Sequence, residues 1–319
     1  MASPPALKFA GFHRTDLVYC TVANHDLYAS VLRPTSTEPG TASRPVLVFW
    51  HGGGFITGDR MYEPWWPTWI IQLAQSQGAM IISPDFRLMP EASPSDVLDD
   101  VASFWTWYTR TLPKIAASES WDVRPDVKRT ICAGQSSGAV IGVHSALEHQ
   151  DVQIRAVLAL YGPLCFDVPL LNMPKPRIIG GSRPPAPRQA EAMIRSYITR
   201  NKGKTRTSGN PTDDWELVMT MVQQGWLPRT AKRNPDSRLD VVANLRAKLI
   251  LPPTWVVHGE QDSVVPVECA IKFGEHAREA VPDTPLLLSI RPGEHTFDVD
   301  LTIDEPWLSE GCRFISSHW

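Results

Sequence analysis

The stretch "PVLVFWHGGGFITGD", Pro45 to Asp59, runs from an apolar strand pattern straight into a glycine turn. A short run rich in β-formers enters His51 and then three glycines, Gly52, Gly53 and Gly54, before Phe55. Adjacent glycines are costly to order, because each loses more backbone freedom on folding than any other residue. The run before them is apolar without alternation, which marks a strand buried on both faces and so a parallel sheet. Four more runs share that character: "AMIISPDF", "TICAG", "AVLALYG" and "TWVVHG". Helical spacing fills the gaps between them. Val97, Val101, Phe104, Trp105 and Tyr108 share one helix face within 96–111, and 137–147 is apolar nearly all round. This βα alternation predicts an open α/β sheet flanked by helices on both sides. Residues 15–33 alternate instead and read as an antiparallel hairpin.

Composition narrows the class. Of 319 residues, 43 % are hydrophobic, ample for one large core, and the formal net charge is −3. That balance points away from nucleic acid and from membrane surfaces. No apolar run reaches the ~18 residues of a membrane span, and residues 1–16 carry no signal-peptide pattern. Five scattered cysteines without a CxxC pair fit reduced thiols and a cytoplasmic setting, with no metal site expected. One region breaks the rhythm. Between 163 and about 236 no strand is predicted, seven prolines fall between Gly162 and Arg188, and helices are expected near 189–199 and 213–224. An insertion of that length between sheet strands is usually a lid or binding element. Its basic segment "RNKGKTRTSGNP" reads as a solvated loop.

The chemistry is carried by "GQSSG", Gly134 to Gly138. It follows a buried strand and precedes a helix, the context of a nucleophile elbow with Ser136 at a strained turn. A serine hydroxyl needs a base. Of nine histidines, His51 belongs to the glycine motif, His144 and His149 lie along the helix after Ser136, and His258 sits in a strand end. His295, in a loop after "LLLSI", is the candidate base. A carboxylate should hold its tautomer. Asp262 in "HGEQD" is the candidate and Glu260 its rival. The glycines then acquire a purpose: backbone N–H groups of Gly53 and Gly54, with Gly52 as alternate, and of Ser137 can meet an oxyanion that side chains would obstruct.

HGGGF, "PDFRLMPEASPSDVLDD", GxSxG, "HGEQD" and a late histidine together resemble the hormone-sensitive-lipase-like α/β hydrolases, from about Val46 to Asp298. The tryptophan- and proline-rich character also looks like hydrolases encoded with fungal secondary-metabolite pathways. The resemblance implies an α/β-hydrolase fold of about eight strands in a single domain over 1–319, with a cap from 1–25 and about 163–236. It implies cofactor-free carboxylic-ester hydrolysis, with Ser136 as nucleophile, Asp262 as acid, His295 as base, and Gly53 and Gly54 in the oxyanion hole. It gives His51 a structural role and makes Arg87, Glu91, Asp99 and Asp100 a structural run. The chain departs from the family's GDSAG at Gln135 and Ser137, and Thr296 intervenes before Phe297. Phe55, Trp65, Trp66 and Phe297 are expected at the substrate, a small to medium apolar or aromatic ester or thioester; core packing is the competing reading for the two tryptophans. Some members form homodimers. Thioester release, non-hydrolytic cyclisation and ligand binding without catalysis are the alternatives to ester hydrolysis.

Overall fold

The computed structural model describes residues 8–35, 42–172, 177–233 and 239–319. Eight strands form one sheet in the order β1-β2-β4-β3-β5-β6-β7-β8. They are β1 (Phe12–Val22), β2 (His25–Pro34), β3 (Ala42–Trp50), β4 (Met80–Pro84), β5 (Val123–Gln135), β6 (Ile154–Leu160), β7 (Thr254–Gly259) and β8 (Leu286–Arg291). β1 and β2 run antiparallel, as does β2 against β4, and all other pairs are parallel. β3 sits between β4 and β5, which places its C-terminal end and the glycines after it at the centre of the sheet.

The two faces of β3 enter different cores, as the period of a strand requires. Val46, Val48 and Trp50 join the layer built by α2 (Pro94–Arg110) and α4 (Ser137–Glu148), while Leu47 and Phe49 join the layer built by α1 (Thr68–Ser76) and α11 (Pro306–Ser316). The α2 start is fixed by a capping box in which Ser93 and Asp96 satisfy each other's backbone N–H. The short α3 (Leu112–Ser118) leads into β5, and α10 (Glu268–Ala280) separates β7 from β8. No helix among the described residues is long and apolar enough to cross a membrane.

The insertion folds into α5 (Pro169–Asn172), α6 (Pro187–Asn201), α7 (Pro211–Gln223) and α8 (Trp226–Arg233), and α9 (Val241–Lys248) follows before β7. The two helices expected there are present as α6 and α7. The insertion's expected end, near 236, lies outside the described residues. A third apolar cluster joins Leu171, Ile194, Leu217 and Met221 of these helices to Ile56, Val264 and Val265. The insertion is thus seated on the loops after β3 and β7. The N-terminal segment does not share this role as far as it is described: Phe12–Val22 is the edge strand β1, paired with β2. Alternating residues such as Leu17 and Tyr19 pack on the main core, which draws the segment into the sheet. Residues 1–7, also expected in the cap, lie outside the described residues.

Candidate active site

Ser136 stands between β5 and α4 with φ +52° and ψ −122°, a backbone state that favours glycine. The flanking glycines explain how the chain holds it. A Cβ on Gly138 would lie 2.6 Å from the His51 carbonyl oxygen, and one on Gly134 would lie 2.8 Å from the Ala139 nitrogen. Elbow, helix and β3 loop therefore approach more closely than side chains permit. The Ser136 N–H donates to the Leu160 carbonyl at 2.8 Å and pins the turn to β6.

His295 arrives on the loop after β8 and Asp262 on the loop after β7. His295 Nε2 is 3.1 Å from Ser136 Oγ, and His295 Nδ1 is 2.7 Å from Asp262 Oδ2. Asp262 is buried, and its Oδ1 accepts the N–H groups of Val264 and Val265 at 2.9 and 2.8 Å. Burial alone would raise its pKa, but the facing His295 and hydrogen bonds from His258 and His295 outweigh that and hold it well below the carboxylate range. A charged carboxylate on Nδ1 selects the tautomer with Nδ1–H, leaving Nε2 to accept the serine proton. Glu260 has no such contact; its side chain accepts from Gln261 Nε2 at 3.3 Å. Tyr161 packs edge-on against the His295 ring, centroids 4.9 Å apart.

Gly53 and Gly54 have φ +104° and +66°. The Gly53 carbonyl accepts Ile56 and Thr57 N–H at 2.9 and 3.1 Å, closing a tight turn. Among the described residues the N–H groups of Gly53, Gly54 and Ser137 donate to no other group. Ser137 is the first residue of α4, where helix N–H groups lack intrahelical partners and the helix end is positive. The Ser137 hydroxyl accepts the Phe55 N–H at 3.2 Å, so the residue that replaces the family's alanine ties the glycine loop to the elbow. Gln135, in place of the family's aspartate, is buried and accepts from the Tyr161 hydroxyl at 3.3 Å. His51 Nδ1 donates to the Gly52 carbonyl at 2.8 Å and its ring stacks on Phe86. Burial lowers its pKa to about 4, against a smaller opposing effect of the Gly52 carbonyl, so the ring is neutral at pH 7.

A cavity of about 290 Å³ opens over Ser136 and His295. Gly52, Gly53 and Gly54 form its floor, with Trp65 beside them. Three residues expected at the substrate are elsewhere. Phe55 is fully buried against Phe86, Trp66 packs on Phe49 at 4.1 Å, and Phe297 stacks on Trp307. Phe55 and Phe297 are turned away by local backbone geometry: Phe55 takes φ +65°, and Thr296 before Phe297 takes φ +63°. Thr296 itself lines the cavity. In the structural run, Arg87 pairs with Asp100 and Asp96, while Asp99 is exposed.

Two features escape the sequence reading. His258, placed there in a strand end, brings Nε2 within 3.2 Å of Asp262 Oδ2 and 2.9 Å of the Val265 carbonyl. The signal was its four-residue spacing from Asp262, with Glu260 and Gln261 in the turn between them. The other is the cavity wall. Trp215, Val218, Met219 and Val222 of α7 face the cavity, as do Trp226 and Leu227 of α8. Their helical spacing is the same as that of core residues, so periodicity alone cannot separate the two.

Residues 47–278 match the family described as alpha/beta hydrolase fold, and the chain belongs to it. Over its full length it is 49 % identical to the full length of "Probable carboxylesterase M8" from Phoma sp.. It is 51 % identical over 187 residues to "Probable carboxylesterase clz11" from Cochliobolus lunatus, covering 59 % of this chain and 86 % of that protein. A more distant match, 25 % identical and covering 92 % of this chain, occupies 15 % of the non-reducing polyketide synthase ascC of Acremonium egyptiacum. Among solved structures, esterase LipW from Mycobacterium marinum superposes with a TM-score of 0.60 at 20 % identity, covering 97 % of this chain and 81 % of that one, a likeness of fold.

Proposed function

We propose that the chain is a carboxylic-ester hydrolase that works through an acyl-enzyme on Ser136. The observation that carries this reading is one imidazole, His295, set between Ser136 Oγ and Asp262 Oδ2 at 3.1 and 2.7 Å on the wall of a cavity. The 49 % identity to a protein named a carboxylesterase supports the same activity.

In this mechanism Ser136 Oγ attacks the ester carbonyl carbon and its proton passes to His295 Nε2. Asp262 stabilises the imidazolium that forms. Negative charge on the carbonyl oxygen meets the N–H groups of Gly53, Gly54 and Ser137, each such donor being worth about 10²–10³ in rate. The intermediate collapses, the alcohol leaves with the proton from His295, and the acyl group stays on Ser136. Water gives a proton to His295 and attacks the acyl carbon, and collapse of the second intermediate releases the acid and restores the serine. Helices α5–α8 act as a cap over this chemistry. The walls from Trp65, Trp215, Val218, Met219 and Trp226 suit an uncharged apolar or aromatic acyl or alcohol group.

Turnover of p-nitrophenyl acetate and butyrate by the wild type, lost in Ser136→Ala, is the expected result. Full turnover in the variant, or none in the wild type, contradicts the reading. The match to a segment of a polyketide synthase favours a second substrate class, acyl thioesters, cleaved by the same steps with a thiol as leaving group. An N-acetylcysteamine thioester assayed beside the oxygen ester of the same acid separates the two classes.

A further inference from the structure

The basic segment of the insertion is not a free loop along its whole length. Lys202, Gly203 and Lys204 are exposed, but Thr207 is buried and Arg206 is only 22 % exposed in its side chain. The Arg206 guanidinium makes three connections. Nη2 donates to the Ile56 carbonyl at 2.6 Å, Nη1 pairs with Asp214 Oδ2 at 2.8 Å, and Nε lies 3.4 Å from Glu91 Oε1. The Arg206 carbonyl accepts the Leu88 N–H at 2.6 Å. Three residues on, Gly209 exchanges two backbone hydrogen bonds with Gly58, at 3.1 and 2.9 Å.

Ile56 and Gly58 belong to the turn that presents Gly53 and Gly54. Of that turn's carbonyls, Phe55 is held by the Met89 N–H at 2.7 Å, Ile56 by Arg206, and Gly58 by Gly209. Gly53 and Gly54 line the cavity, and among the described residues their N–H groups donate to no protein group. An oxyanion hole works because its donors are fixed before charge develops. A flexible triple-glycine loop needs an external support to be so fixed. Asp214, on α7, anchors Nη1 from the cap side while Nη2 holds the Ile56 carbonyl, so the rigid guanidinium bridges cap and glycine turn through two charge-assisted hydrogen bonds.

We infer that Arg206 is a positioning residue for the oxyanion hole, latching the cap onto the glycine loop so that Gly53 and Gly54 keep their N–H groups aimed at the cavity. This rests on the ester-hydrolase reading for its kinetic consequence, but the latch itself has a readout that needs no turnover. The experiment compares wild type, Arg206→Ala and Tyr197→Phe. Tyr197 donates to Glu91 Oε1 at 2.8 Å and its ring lies 5.9 Å from the Arg206 guanidinium, so the phenylalanine variant keeps the ring and every Arg206 contact with the glycine turn and reports the loss of one neighbouring hydrogen bond. Amide hydrogen exchange of the peptide spanning 53–58 is measured together with kcat and KM for p-nitrophenyl butyrate. Affinity for an aryl trifluoromethyl ketone, which forms a tetrahedral oxyanion on the serine, completes the set.

For Arg206→Ala, exchange across 53–58 is expected to rise and kcat to fall by about 10–100-fold, less than or similar to the loss of one whole donor. Ketone affinity should fall by a similar factor, with KM within about threefold, and added guanidinium should restore part of kcat. Tyr197→Phe should leave all of these near wild type. Unchanged exchange, or a kcat loss without a parallel loss of ketone affinity, overturns the latch. Should the alanine variant fail to fold, Arg206→Lys keeps the charge and loses the two-armed bridge, and carries the same comparison. A wild type inert towards the ester would remove the hydrolase reading and leave the exchange result to decide the latch.

Discussion

Gly53 and Gly54 sit side by side, yet an added methyl group meets opposite fates at the two positions. At Gly53, with φ +104°, a Cβ would overlap the Thr57 carbonyl oxygen and lie 2.7 Å from the carbonyl carbon. The same turn is closed by the Gly53 carbonyl on Ile56 and Thr57 N–H, so the clash can be relieved only by opening it. Opening it moves the donors by something near 1 Å, a displacement worth about 10²-fold in a positioned reaction. Losing a donor outright is worth about 10²–10³. At Gly54, φ is +66° and the nearest atom, Val218 Cγ1, is 3.5 Å away, an ordinary contact. Alanine there meets only the left-handed backbone penalty of about 1–2 kcal/mol. Gly53→Ala should therefore lose about 10²–10³ in kcat. Gly54→Ala should keep kcat within about tenfold of wild type and lower the thermal midpoint by roughly 2–4 °C. Steady-state kinetics on p-nitrophenyl butyrate and calorimetry check both. Equal damage by the two substitutions, or a fully active Gly53→Ala, would refute the argument that close approach is what demands glycine.

His51 and His258 give further tests. The His51 pKa falls from 6.5 to about 4 on folding, chiefly through burial, so between those values the unfolded chain binds more protons and stability falls as pH falls. The shift corresponds to about 3 kcal/mol. His51→Gln should therefore narrow its stability gap to wild type by up to that amount between pH 7 and pH 4. Asp85, raised by burial to about 7 despite its partner Arg60, acts in the opposite sense but is present in both proteins and cancels in the difference. A pH-independent gap in denaturant melts would remove the burial argument. His258→Phe deletes one of the two side-chain donors to Asp262 Oδ2, a hydrogen bond to a charged group worth about 1.5–3 kcal/mol. It should lower unfolding stability by that order and reduce kcat with little change in KM. Lowered stability with kcat unchanged would show that His258 bonds only the Val265 carbonyl.

The parallel strands and the strand-to-helix turn at Ser136 were legible because each rests on a local rule; Ser136, Asp262 and His295, proposed from the order of the motifs, lie within hydrogen-bond distance of one another. Continuous apolar runs mark buried strands, and the glycines of GxSxG mark a close approach that the structure contains at Gly134 and Gly138. The hairpin at 15–33 was legible as a hairpin, but its membership in the sheet was not, because that depends on the remote pairing of β2 with β4. Trp66 takes the core packing that the sequence left open, and Phe55 and Phe297 lie away from the cavity for a related reason. Adjacency to a motif says nothing of which way a side chain points when the backbone turns through positive φ at Phe55 and Thr296. The latch at Arg206 was hidden in a segment whose composition is that of a solvated loop. What orders it are partners far off in the chain, Ile56 and Glu91.

Substrate acyl groups that pass through Ser136 can be trapped there. The direct measurement mixes the protein with p-nitrophenyl butyrate, quenches in acid during steady turnover, and maps the adduct by peptide mass spectrometry. A butyryl group is expected on Ser136 alone, absent from Ser136→Ala and accumulating when Asp262 or His295 is replaced only as slowly as turnover itself. Steady turnover with no adduct at any time point, or an adduct on another residue that turns over at the catalytic rate, would contradict it.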